Sequence, residues 1–240
     1  MKKLALITTA AMAAAIAAAP AAQAAPEQYL KVKLTKTKAS KKTPTTVGIT
    51  IDTGTVTKNA DGSKNTITSA KIDLPKGILL NYKKFPTCKE ATTCADSAPT
   101  SQVGTGTAAA RVDGVDYVAQ GKLTAFIGAG ANLFIRTQFS QPAVIDEPLT
   151  GAVTTKGGAY SFGFKVPDTL QMPIPDAYQQ IDSFKLNFAA KTVKSQGKKI
   201  GLVQLKTCTG KKYTFKGTFT FRDGSTATAE DTIKCTQAKK

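Results

Sequence analysis

The sequence predicts an all-β protein: an antiparallel β-sandwich, immunoglobulin-like or of a related two-sheet kind, with roughly ten to twelve strands after a cleaved N-terminal signal helix. Three observations predict it. Short runs rich in β-branched and aromatic residues alternate with turn residues along most of the chain. Asp61-Gly62, Asp113-Gly114 and Asp223-Gly224 supply the φ > 0 position that tight hairpins demand. Beyond residue 24 no stretch sustains helical periodicity.

The first element is the signal. Lys2 and Lys3 form a positive head, an apolar stretch runs from Leu4 to Ala19, and Pro20 ends it before Ala22-Gln23-Ala24. Small residues at 22 and 24 fit signal peptidase, so cleavage is expected after Ala24. The run is Ala-rich, carries Thr8 and Thr9, and falls short of the ~20 strongly apolar residues of a membrane anchor. No cysteine stands at the cleavage site to take a lipid, and no second apolar run follows. Leu74-Pro75-Lys76-Gly77 lacks the Thr, tail and position of a wall-sorting signal and reads as a strand end. Residues 25–240 are expected to form a single domain, secreted or peripheral to the cell envelope.

Within that domain the expected strands are Tyr29–Thr35, Thr46–Asp52, Thr66–Leu74, Val103–Val112, Lys122–Ile127, Asn132–Phe139, Ala159–Val166, Ile181–Val193, Ile200–Cys208, Tyr213–Arg222 and Ser225–Cys235. The segment from Pro167 to Asp176 is too rich in proline for a strand interior and reads as a long ordered connection. In the last hairpin Tyr213, Phe215, Phe219 and Phe221 share one face. A two-residue turn at Asp223-Gly224 would set Thr226, Thr228 and Glu230 beside these aromatics. A three-residue turn sets Ala227, Ala229 and Ile233 there and makes one apolar face. The sequence therefore predicts the three-residue turn, with Gly224 left-handed. The same parity turns Asp231 inward, which makes it the carboxylate to watch for a raised pKa, against the plainer reading of an ion pair at the rim.

Cys88, Cys94, Cys208 and Cys235 suit an oxidising compartment, and the pairing expected is 88–94 and 208–235. Zinc is disfavoured because paired C-x2-C arms are missing. In a plain meander the strand Tyr213–Arg222 would lie between Cys208 and Cys235. Two strand spacings, about 9–10 Å, exceed the ~7 Å Cα limit of a disulfide. Cys208 must then sit beyond the end of that strand, or Ile200–Cys208 must lie in the other sheet.

Composition excludes several chemistries. Histidine and tryptophan are absent, which removes Ser-His-Asp and Cys-His catalysis, His-ligated zinc and an imidazole switch. The formal charge is +17, and it comes from lysine, with Arg111, Arg136 and Arg222 the only arginines. Lysine supplies point charge rather than the bidentate fork of specific phosphate or base readers. Lys31, Lys33, Lys36, Lys38, Lys41 and Lys42 crowd the start of the domain; Lys194, Lys198 and Lys199 form a second group, and Lys211, Lys212 and Lys216 a third. They read either as contacts for an anionic polymer or as solubility charge that protects strand edges.

Other motifs carry little. Gly104-Thr105-Gly106 and Gly128-Ala129-Gly130 lack the rest of a nucleotide fingerprint and read as strand and turn glycines. Asn59-Ala60-Asp61-Gly62-Ser63 is a fragment of a calcium loop without its closing Glu, and Asp113 with Asp116 reads as a turn. Alternating threonines, such as Thr218 with Thr220 and Thr226 with Thr228, are the ordinary solvent face of a sheet. No cofactor, metal site or catalytic residue is predicted.

Phe85-Pro86-Thr87-Cys88 with Cys94 and Val103–Ala108, the run into Ile181–Leu186, then Cys208, Tyr213-Thr214-Phe215, Phe219–Gly224 and Cys235 carry a resemblance. On these the chain resembles uncharacterised exported β-sandwich proteins of actinobacteria. The resemblance implies an exported sandwich and lends no catalytic residues. The function expected is that of an exported, non-enzymatic binding or structural protein of the cell envelope or extracellular space, retained by anionic envelope polymers. A secreted carboxylate-based hydrolase acting on polysaccharide is the alternative, and an extracellular nucleic-acid binder a further one.

Overall fold

Period-two alternation of apolar and polar residues, interrupted by Gly, Asp and Pro, builds one large sheet. A computed structural model describes residues 26–56 and 66–239. The expected signal (1–24), the Asp61-Gly62 turn and the run Asn59–Ser63 lie outside the described residues.

Among the described residues eighteen strands follow in order: β1 (Gln28–Leu34), β2 (Lys38–Ala39), β3 (Thr45–Val47), β4 (Ile49–Thr55), β5 (Ile67–Asp73), β6 (Ile78–Leu80), β7 (Gln102–Val112), β8 (Ala119–Gly128), β9 (Asn132–Phe139), β10 (Ile145–Lys156), β11 (Ala159–Lys165), β12 (Gln179–Phe188), β13 (Thr192–Ser195), β14 (Lys198–Gly201), β15 (Val203–Leu205), β16 (Lys212–Phe221), β17 (Thr226–Lys234) and β18 (Thr236–Gln237). Eleven of them make an antiparallel sheet in the order β1-β4-β12-β7-β8-β9-β10-β11-β5-β16-β17. Small sheets β3-β15-β6, β13-β14 and β2-β18 complete the fold.

The two layers expected from the sequence are present. Strands β4, β12 and β7 face β10, β11, β5 and β16 across a shared core, and the rings of Phe162 and Phe188 stack with centroids 6.3 Å apart. The layers are continuous with each other through β8 and β9. On the other side β1 and β17, the two ends of the sheet, come together without a backbone ladder. There the Val32 N–H donates to Asp231 Oδ2 at 2.6 Å, so a side chain stands in for a ladder bond. The molecule is thus a sandwich made by folding one sheet almost into a closed barrel.

The last hairpin has the three-residue turn. Phe219 lies opposite Ala227, Gly217 opposite Ala229 and Tyr213 opposite Ile233, with Gly224 at φ +82°. Tyr213, Phe215, Phe219 and Phe221 are buried. Thr218 meets Thr228, and Thr220 meets Thr226, on the outer face. The segment from Pro167 is ordered, with one helical turn at Asp168–Gln171.

Several expected strands are divided. Gly48 breaks Thr46–Asp52 into β3 and β4, which join different sheets. Ile181–Val193 ends at Phe188, and its tail becomes half of the β13–β14 hairpin. Ile200–Cys208 yields β14 and β15, with β15 between β3 and β6 and away from β16. Cys208 lies beyond β15 and before β16, and this resolves the spacing problem: Cys208 and Cys235 are bonded with Cα atoms 5.9 Å apart. Cys88 and Cys94 form the second bridge.

Candidate functional site

Three lysine-bearing segments are tied together at one end of the molecule, where β1 and β17 finish and β16 begins. The segment after β1 returns to pair in parallel with the last strand, Lys38 beside Thr236 and Ala39 beside Gln237. Ala39 is fully buried and anchors it. Backbone bonds then run from Thr236 N–H to Thr37 O (3.2 Å), from Ala238 N–H to Ala39 O (2.7 Å) and from Ser40 N–H to Leu205 O (3.2 Å). Gln237 Oε1 accepts from Cys208 N–H at 2.9 Å, and Lys211 O accepts from Cys235 N–H at 2.9 Å. The Cys208–Cys235 bridge fastens the same place covalently.

This arrangement displays Lys36, Lys38, Lys41 and Lys42 together with Lys206, Lys211, Lys212, Lys234 and Lys239, all exposed. No Asp or Glu occurs in residues 36–42, 206–212 or 234–239. Lys212 and Lys234 are direct cross-strand partners. In the adjoining β13–β14 hairpin, which packs beside β3, Lys194 opposes Lys199. Like charges so placed disfavour the sheet by an amount of order 0.2–1 kcal/mol a pair, and nearby anions relieve the repulsion. Within a Debye length of about 8 Å at physiological salt the charges reinforce one another.

The six lysines expected at the start of the domain are therefore split by the fold. Lys36, Lys38, Lys41 and Lys42 join the basic end. Lys31 and Lys33 instead lie on the exposed outer face of β1, with Lys31 Nζ 5.5 Å from the Tyr29 ring and opposite Asp52. The Tyr29 hydroxyl donates to Asp52 Oδ1 at 3.0 Å, and burial together with that carboxylate raises its pKa above the usual phenol value. Of the third lysine group, Lys216 lies further along β16, opposite Glu230 and Asp73. Sequence grouping misses Lys206, Lys234 and Lys239. The signal is nevertheless present in the cysteines: lysines flank both Cys208 and Cys235, and a bridge between the two must bring those lysines together.

Asp231 faces inward opposite Phe215, as the turn parity requires, and is half-buried. Its carboxylate accepts backbone N–H donors, from Val32 and from Thr232 (2.8 Å), rather than a lysine. It is a seam residue between β17 and β1.

Three other acids of the sheet are engaged by partners of their own. Arg111 Nε meets Asp182 Oδ2 at 2.8 Å. Arg136 holds Asp146 in a two-pronged pair, and this hydrogen bonding lowers the Asp146 pKa below the usual carboxylate range. Asp73 takes Lys71 at 2.7 Å and the Ser161 hydroxyl at 2.6 Å. Burial opposes its ionisation, but these partners outweigh burial and lower its pKa. Asp113, Asp116, Asp168 and Asp176 are exposed in connections at the end opposite the lysines. Among the described residues no three Asp, Glu, Cys or His side chains cluster as a metal site. The two expected GxG runs are structural: Gly104 and Gly106 lie in β7 against β12, and Gly130 takes φ +70° in the turn between β8 and β9.

Compared with protein-family models, curated proteins and solved structures, the chain matches none.

Proposed function

We propose that the protein is an exported, non-enzymatic binding protein of the cell envelope or extracellular space that holds anionic envelope polymers through its lysine-rich end. One observation carries the reading: separate stretches of chain are bonded into a single surface with nine exposed lysines and no acid in any of its segments. Mere solubility charge would be served by lysines spread over the molecule, without the opposed pairs at 212/234 and 194/199. Lysine suits a diffuse polyanion, since it makes no geometric demand on the ligand. The hydrolase reading draws no support from the two interior cavities described, whose walls among the described residues carry no Asp or Glu. The signal expected over residues 1–24 favours the same location.

The test uses long-chain polyphosphate as a defined polyanion, with duplex DNA and a cell-wall fraction in parallel. Binding is expected to weaken linearly in log K against log salt. Replacing Lys36, Lys38, Lys41 and Lys42 by Gln should lower affinity at least about tenfold and flatten the slope by up to roughly 0.9 for each phosphate no longer neutralised, the duplex-DNA value. Replacing Lys122, Lys165 and Lys185, which lie elsewhere on the sheet, should change little. Equal losses in both variants would show diffuse solubility charge and end the proposal. Preference for one DNA sequence would favour the nucleic-acid reading.

A further inference from the structure

Between the two layers lies a cavity of about 110 Å³. Its walls include Ala108, Leu133, Ile135, Leu149, Phe162 and Leu186, and Leu170 from the turn Asp168–Gln171 borders it beneath the proline-rich connection. Among the described residues no charged one lines it. Of the polar residues on its walls, Thr53 donates to Tyr29 O at 2.6 Å and Thr137 to Ile135 O, which satisfies both hydroxyls. Gln28 and Gln179 are the remaining polar residues on the walls; both are buried, the Gln28 amide donates to Thr55 Oγ1 at 2.9 Å, and the surface that the cavity itself presents is apolar.

We propose that this cavity binds a small neutral molecule that places an apolar hydrocarbon part between the layers. Size sets the hydrocarbon part at about six carbons, because apolar cavities near 150 Å³ stay dry and take up benzene. An empty cavity leaves its lining without dispersion partners, so a matching occupant stabilises the fold. Charge is excluded, since an ion here would be desolvated with nothing to pair it. The site is remote from the lysine end, so the two readings stand or fall separately.

Benzene and phenol, added to the protein with both disulfides formed, are the probes. Nuclear Overhauser contacts should run from each ring to the methyl groups of Leu133, Ile135 and Leu149, and Tm should rise with ligand concentration. Ala108→Leu, which fills the space, should abolish both effects. Phenol should bind at least about fivefold more weakly than benzene, because its hydroxyl is buried there without a partner. Contacts only to surface methyls, such as those of Val118 or Val144, would overturn the site. Phenol binding as tightly as benzene would overturn the apolar character of the site. If Ala108→Leu does not fold, the contacts in the unaltered protein still decide.

Discussion

Asp231 shows how one side chain closes a sheet. The fold leaves β1 and β17 adjacent but without a ladder, and the carboxylate supplies the acceptor that Val32 N–H would otherwise lack. Val32 is buried, so water is a poor replacement. Asp231→Ala should therefore cost about 1–3 kcal/mol in urea unfolding, the range for a stranded buried donor, with faster amide exchange at Val32. Asp231→Asn keeps an acceptor and should cost less; equal losses would place the effect in charge instead. At Asp146 the effect of pH has a definite sign. The Arg136 hydrogen bonds lower its folded pKa, so its contribution is present above the unfolded value, about 3.9, and is lost as pH falls through the folded one. The pair is largely solvent-exposed, which limits it to about 0–1 kcal/mol. Unfolding at pH 7 and pH 2 should show the Asp146→Asn deficit at pH 7 alone.

At the scale of elements, β7 and β12 depend on close approach. A Cβ at Gly106 would stand 2.0 Å from the Lys185 carbonyl oxygen, a backbone atom that cannot turn aside. Gly106→Ala should open the β7–β12 ladder and destabilise by more than the roughly 0.5–1.5 kcal/mol of an ordinary hydrogen bond, as urea unfolding and amide exchange in β12 would reveal. The disulfides differ in role. Cys208–Cys235 spans 27 residues, so chain entropy gives it roughly 3–4 kcal/mol, and it holds β18 against β2. Replacing both cysteines by Ser should lower Tm and weaken polyphosphate binding, whereas the same change at Cys88 and Cys94 should leave binding intact. Much of this was legible. Asn132–Phe139 has the bounds read from its alternation, and the last hairpin was fixed because only one turn length gave an apolar face. β10 was missed: Glu147, Pro148 and Gly151 interrupt its β-forming residues. Pro148 is tolerated because that part of β10 pairs with β9 alone, leaving a free side for a residue without an N–H. The basic end was half legible, since lysine runs are visible in sequence but their convergence rests on β2–β18 pairing between two-residue strands.

Among the described residues the antiparallel registers place the lysine surface and the exposed apolar side chains at opposite ends. The lysine surface lies where β16 begins, while Asp113, Asp116, Asp168 and Asp176 lie in connections at the other end. The large hydrophobic side chains exposed among the described residues, Val56, Tyr117, Val118, Val144 and Met172, fall at that other end too. Charge separated in this way makes a dipole, and a dipole orients a protein in the field of a polyanion before any contact forms. A spread of lysines would attract without orienting. Bound protein should then point its lysine end at the polymer and keep the acidic, apolar end free. Amine acetylation in the presence of polyphosphate reads this directly. Lys38, Lys206, Lys211, Lys212 and Lys234 should become protected, while Lys165, at the end of β11 nearer the acids, keeps its reactivity. Protection should vanish at high salt, because screening removes the field that sets the orientation. Uniform protection over the surface would mean that the polymer reads only net charge, and that the sorting of charge by the fold has no part in binding.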